Sequence, residues 1–204
     1  MIVGAAHILL NPAPLLPQGT VAVTGMGRSG TTMVTRVLAA LGLPLGPDAS
    51  ANFLEEPQIV SLLKANDMAG FAALCRARDA DHNIWAFKCP ALRVRMAEAD
   101  QILRQPRYIV TYRDVVATVT RSVTAADAPP DWNSALEAQV RKQYNLIREL
   151  MRLEAPILLL SYEKALALPA ETVAEIARFV GHPLAPAAKI AAAEIRAGDP
   201  RYKA

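Results

Sequence analysis

The run Gly25-Met26-Gly27-Arg28-Ser29-Gly30-Thr31-Thr32 concentrates residue types that bind anions. Its glycines let the backbone turn back and aim several N–H groups at one point. Together with the start of a following helix, those donors form an anion cradle. Ser29, Thr31 and Thr32 add hydroxyl donors, and Arg28 adds a fixed positive charge. A bare Gly-x-Gly is often an ordinary turn before a helix. The longer run, set between an apolar strand and a helix, predicts a phosphate site.

The spacing approaches the Walker A pattern, Gly-x-x-x-x-Gly-Lys-Ser/Thr, but Thr31 stands where that pattern has lysine. Without the lysine, the β- and γ-phosphates of ATP lose their usual counter-charge. The loop therefore predicts phosphate binding without predicting ATP hydrolysis.

Several elements must position this loop. Val21-Ala22-Val23-Thr24 reads as a buried strand entering it. Val34, Val37, Leu38 and Leu41 share one face of the helix leaving it, which Gly42 stops. A loop is expected over 43–52 and a helix over 58–73. Ile84-Trp85-Ala86-Phe87 reads as a second strand, followed by a helix with Leu92, Met96, Ala99 and Leu103 inward. Tyr108 to Tyr112 reads as a third strand and Val115 to Ala126 as a helix. A longer helix is expected from Asn133 to Leu153, with Leu136, Val140, Ile147 and Met151 as its apolar stripe. Ile157 to Leu160 reads as a fourth strand. Helices over 169–180 and 186–196 close the chain, Gly181 stopping the first. Strands alternating with helices imply an α/β protein with a central parallel sheet flanked by helices in three layers.

At 204 residues, 52% of them apolar, the chain suits one domain with a buried core. Residues 1–18 are expected to be an N-terminal tail, packed on the domain or mobile, too short and too interrupted by proline to insert stably in a membrane. A net charge of +3 is too small to imply nucleic acid and suits an anionic small molecule equally well. Cys75 and Cys89, the only cysteines, are too few for a disulfide framework and fit a reducing cytoplasm. His7, His82 and His182 are scattered, so no metal site is expected.

Gly27-Arg28-Ser29-Gly30-Thr31-Thr32 resembles the 5′-phosphosulfate loop of sulfotransferases. Further segments follow in that family's order. Asn52 to Pro57 resembles the acidic segment of bacterial and carbohydrate-type members, and Trp85 to Pro90 their strand ending in Lys-x-Pro. Tyr108 to Arg121 resembles the 3′-phosphate segment, Leu159 to Glu163 the late strand ending in Tyr-Glu, and Gly198 to Tyr202 the C-terminal Gly-Asp-Pro-Arg-aromatic turn. Two departures stand out. Val115 replaces the proline of the usual Arg-Asp-Pro, as if one residue were deleted. Pro90 stands where cytosolic small-molecule members have histidine.

The resemblance implies a P-loop fold and metal-free transfer from 3′-phosphoadenosine 5′-phosphosulfate (PAPS) to a hydroxyl or amine, leaving 3′-phosphoadenosine 5′-phosphate (PAP). The acceptor class, whether small molecule, glycan or lipid, stays open, as does the oligomeric state. Arg28 and the loop amides fall to the 5′-phosphate. Lys88 falls to the bridging oxygen or sulfuryl group, against the alternative of a solvated strand-end lysine. Glu55, then Glu56, is the candidate base; the alternative is that Glu-Glu-Pro simply begins a helix. Arg113 falls to the 3′-phosphate, with Thr120 beside it if the deletion is allowed and Arg121, then Ser122, if it is not. Asp114 reads as a helix N-cap. Tyr162 is a candidate for stacking on adenine, or else a buried strand-end residue. Arg201 is a further candidate for the nucleotide. A P-loop kinase or NTPase using Asp114 or Glu163 with Mg2+, and a non-catalytic nucleotide-binding module, are the competing readings.

Overall fold

The computed structural model describes residues 1–47, 49, 54–123, 131–183 and 188–196, the side chains of 121–123 excepted. Six strands form one sheet: β1 (Ile2–Val3), β2 (His7–Leu10), β3 (Gly19–Gly25), β4 (Ile84–Lys88), β5 (Arg107–Tyr112) and β6 (Ile157–Ser161). Their spatial order is β1-β2-β6-β5-β3-β4. β3 to β6 run parallel, while β2 adds to β6 antiparallel and β1 to β2 antiparallel. The chain first steps from β3 to β4 on one side, then crosses to β5 on the other. That reversal opens a crevice at the carboxyl end of β3, where such sheets bind ligands.

Helices α1 (Thr31–Ala40), α2 (Pro57–Lys64), α3 (Met68–Asp81), α4 (Met96–Asp100), α5 (Val115–Val123), α6 (Trp132–Leu150), α7 (Tyr162–Ala167), α8 (Pro169–Val180) and α9 (Ala188–Ala193) complete the described chain. Alternate strand residues bury opposite faces. Val21, Val23, Ile109, Leu158 and Leu160 pack with α1, α8 and α9. Ala22, Trp85, Phe87, Tyr108, Val110 and Ile157 pack with α2, α3, α4 and α6. The result is the expected three-layer α/β architecture.

Four local expectations are corrected. Within the expected tail, Ile2–Val3 and His7–Leu10 extend the sheet, with Asn11 donating its amide to Leu153 O at 2.6 Å. The helix expected over 58–73 is two helices, because Asn66 takes a φ of 58° and Asp67 caps α3 by accepting from Gly70 N at 2.8 Å. The helix after β4 is a 3-10 turn, Pro90–Val94, followed by the short α4.

On α6, Leu136, Val140 and Met151 of the expected stripe face solvent. Gln139, Gln143, Leu146 and Leu150 face inward instead. Gln143 is drawn in because it accepts from Tyr112 Oη and donates to Arg113 O, both at 2.9 Å. Two polar groups at the end of β5 are satisfied that way. Among the described residues, no helix is long and apolar enough to cross a membrane.

Candidate functional site

β3, β4, β5 and β6 end side by side, and at those ends stand the 26–30 loop, Lys88, Arg113 and Tyr162. The loop is pinned from beneath. Ser29 N–H donates to Met26 O at 3.1 Å, and Ser29 Oγ to the same oxygen at 2.6 Å. Ser29 Oγ also lies 2.7 Å from Thr111 Oγ1 on β5. Ser29 is fully buried. Its hydroxyl was expected to face the anion; it ties the loop to the sheet instead.

Arg28 occupies the left-handed region at φ 68°, uncommon for a residue with a side chain. The Arg113 guanidinium holds it there, Nη1 donating to Arg28 O at 3.1 Å. Gly30 has φ 100°, and a Cβ there would lie 2.4 Å from the Tyr162 ring. A glycine is thus required for both shape and space. Among the described residues, no side chain caps the start of α1, and no acid sits in its first turn. A Cβ on the exposed Gly27 would meet nothing within 4 Å, so the loop is open on that side.

Lys88 is 3% exposed. Its ammonium donates to Thr32 Oγ1 at 2.9 Å and pairs with Glu55 Oε1 at 3.1 Å. The positive charge missing at Thr31 therefore reaches the first turn of α1 from the neighbouring strand. Burial lowers the Lys88 pKa below the ordinary lysine value. The Glu55 carboxylate opposes that fall, and Arg36 adds to it. Glu55 and Glu56 diverge. Glu56 is 3% exposed and pairs with Arg78 of α3, away from Lys88. It is also the first residue flanking α2, with Pro57 at the helix start. Of the two candidate bases, only Glu55 meets the lysine.

Arg113 is fixed by its surroundings. Its guanidinium lies 4.6 Å from the centre of the Tyr162 ring, and its Nε is 3.8 Å from Glu163 Oε1. Asp114 N–H donates to the same Glu163 oxygen at 3.1 Å. Asp114 in turn caps α5, its Oδ1 accepting from Ala117 N at 2.9 Å. Tyr162 is 8% exposed and belongs to the core, so the strand-end alternative describes its ring. It sets Gly30 and Arg113 rather than offering a free face to adenine.

Thr120 is exposed, and its hydroxyl donates to Val116 O at 2.8 Å, one turn back on α5. The side chains of Arg121 and Ser122, residues 52 and 53, and the 198–202 turn with Arg201 lie outside the described residues. Gln143 and Glu163, which hold the β5–α5 turn, escaped sequence reasoning as supports. The pairing of Tyr-Glu at the end of β6 is the signal that pointed nearest to them.

Loop, strand order and crossover together define a P-loop-type α/β fold. Residues 49–186 match the profile of the sulfotransferase family, about two-thirds of the chain; the chain belongs to that family. The matched stretch begins after the Gly25–Thr32 loop.

Among solved structures it resembles the sulfotransferase STF1 from Mycobacterium tuberculosis H37Rv, at 17% identity and a TM-score of 0.58, covering 88% of this chain and 72% of that one. It also resembles the sulfotransferase STF9 from Mycobacterium avium, at 13% identity and a TM-score of 0.55, covering 89% and 68%. A sugar kinase from Janibacter sp. HTCC2649 shares the fold at 18% identity and a TM-score of 0.53, covering 84% and 98%. No curated protein matches in sequence.

Proposed function

We propose that the chain transfers a sulfuryl group from PAPS to a hydroxyl or amine of a small-molecule, glycan or lipid acceptor. One observation carries the reading: a buried ammonium, Lys88, held between the first turn of α1 and the Glu55 carboxylate. The residues present fit such a donor. A helix start that no described side chain caps, an open glycine side and a buried lysine converge at one sheet end, with Arg28 on the loop itself. A concentrated positive field of this kind suits a phosphate ester.

When bound, the donor supplies a sulfuryl group on a phosphate leaving group. Arg28 and the loop amides would hold the 5′-phosphate, and Arg113 the 3′-phosphate. Lys88 would face the oxygen on which negative charge develops, inside a site where charge is weakly screened. Glu55 would take the proton from the attacking acceptor and lose it to solvent after product release, which restores its carboxylate pair with Lys88. Positioning and charge supply most of the rate, as in phosphoryl transfer.

The kinase reading is supported by the sugar-kinase fold likeness. It needs strand-end acids for Mg2+, yet Glu163 is engaged with Arg113 and Asp114 N, and Asp114 caps α5. The buried free thiols Cys75 and Cys89 favour a cytoplasmic setting. Calorimetric titration tests the donor. Tight PAP binding independent of Mg2+, with little response to ATP, is expected. Mg2+-dependent ATP binding with no response to PAP would establish the kinase in its place.

A further inference from the structure

Adjacent residues in extended backbone point to opposite sides. Glu56 has φ −72° and ψ 116°, and Pro57 restricts it to that region. Glu55 therefore turns toward Lys88 while Glu56 turns into the protein. There Glu56 forms a buried ion pair with Arg78. Its second oxygen, Oε2, finds no hydrogen-bond partner among the described residues, so Arg78 is the anchor they supply. The backbone is shaped on both sides of this anchor. Leu54 enters Glu55 in the left-handed region at φ 63°, and Gly46 at φ 89° leaves the space that the Glu56 carboxylate fills. A Cβ on Gly46 would lie 2.3 Å from Glu56 Oε2.

We propose that Arg78 and Glu56 form a positioning pair that sets the Glu55 carboxylate against the Lys88 ammonium. Neither touches the reacting atoms. Their effect passes through one peptide, and its catalytic consequence rests on the sulfotransferase reading, whereas the geometry itself does not. Among the described residues, the charged and titratable groups acting on Lys88 include Glu55, Cys89 and Arg36, and the Thr32 hydroxyl is a further partner. Glu55 raises the lysine pKa, so displacing it lowers that pKa.

The test follows the Lys88 signal by NMR in protein carrying 13C at lysine Cε, assigned with Lys88→Arg and titrated without donor or acceptor. Glu55→Gln should lower the Lys88 midpoint. Arg78→Ala should lower it by a comparable amount, and Arg78→Lys should restore most of the difference. The sign is diagnostic, because loss of a cation acting only through space would raise the midpoint. Where Arg78→Ala does not fold, Glu56→Gln/Arg78→Met removes the anchor without stranding a buried charge, and the same lowering is expected. A folded Arg78 or double variant with the wild-type midpoint, or a higher one, overturns the proposal. Failure of PAP to bind would reject the sulfotransferase reading and leave this titration unaffected.

Discussion

Around Lys88 a buried ammonium is closed in by a carboxylate and a hydroxyl at hydrogen-bond distance, whereas Arg113 is held by a backbone carbonyl, an aromatic ring and a more distant carboxylate. The lysine is buried and meets a hydroxyl and a carboxylate directly. Arg113 donates to one carbonyl, lies over one ring, stands 3.8 Å from Glu163 Oε1, and has its own carbonyl held by Gln143. The first arrangement suits a group whose charge must act where bonds change. The second suits a group that must stand in a fixed place and bind. Catalysis and affinity should therefore separate along the sheet edge, with β4 governing rate and β5 governing nucleotide binding.

The sharpest break in that division is Lys88→Ala. Its expected cost is about 10²–10³-fold in kcat, the scale seen for a lost charge-stabilising donor. PAP affinity should change far less, as calorimetry on the same protein would reveal. Comparable losses in both would erase the distinction between the two ends. Next is Glu55→Gln, expected to cost about 10²-fold in kcat if the carboxylate takes the acceptor proton. An acceptor that is already deprotonated should recover much of that loss.

A pH profile sharpens the same end. Lys88 must be protonated to act as a cation, and burial lowers its pKa. The alkaline fall in kcat should therefore begin below the ordinary lysine range, and Lys88→Arg should remove it or move it upward. The sign for stability follows from linkage. Between the folded and unfolded lysine pKa values the unfolded chain binds more protons, so stability rises with pH through that window. Denaturation midpoints measured across it should rise in wild type and flatten in Lys88→Met.

At the β5 end the expected effects are smaller. Arg113→Ala should weaken PAP binding by roughly 10–100-fold, the worth of a charge-assisted contact. Normal PAP affinity in that variant would move the 3′-phosphate elsewhere. Gln143→Leu is the mildest. It frees Tyr112 Oη and Arg113 O, so a stability loss of about 1–3 kcal/mol is expected with a several-fold loss of affinity.

The difference between the two ends also explains what could be read from the residues alone. The loop, Lys88 at a strand end and the strand–helix alternation follow from local composition, and the structure keeps them. Position along the chain does not reveal which of two neighbouring glutamates meets Lys88; here a partner on α3 separates Glu56 from Glu55. Hydrophobic spacing on α6 misleads for a similar reason, since Gln143 is inward to satisfy Tyr112 and Arg113. Ser29 looked like a ligand donor because a hydroxyl carries no sign of which side it serves; Thr111, distant in sequence, claims it. The His7–Leu10 strand is hidden because its pairing lies on β6, far along the chain, and Ile2–Val3 in turn pairs on His7–Leu10.

A crystal structure of the protein with PAP tests the account most directly. The 5′-phosphate should lie on the Gly27–Thr32 backbone beside Arg28, with Lys88 within hydrogen-bond reach of its free oxygen and Arg113 at the 3′-phosphate. PAP bound away from the carboxyl ends of β3, β4 and β5, or with Lys88 still sealed from it, would contradict the assignment of this sheet edge as the sulfuryl-transfer site.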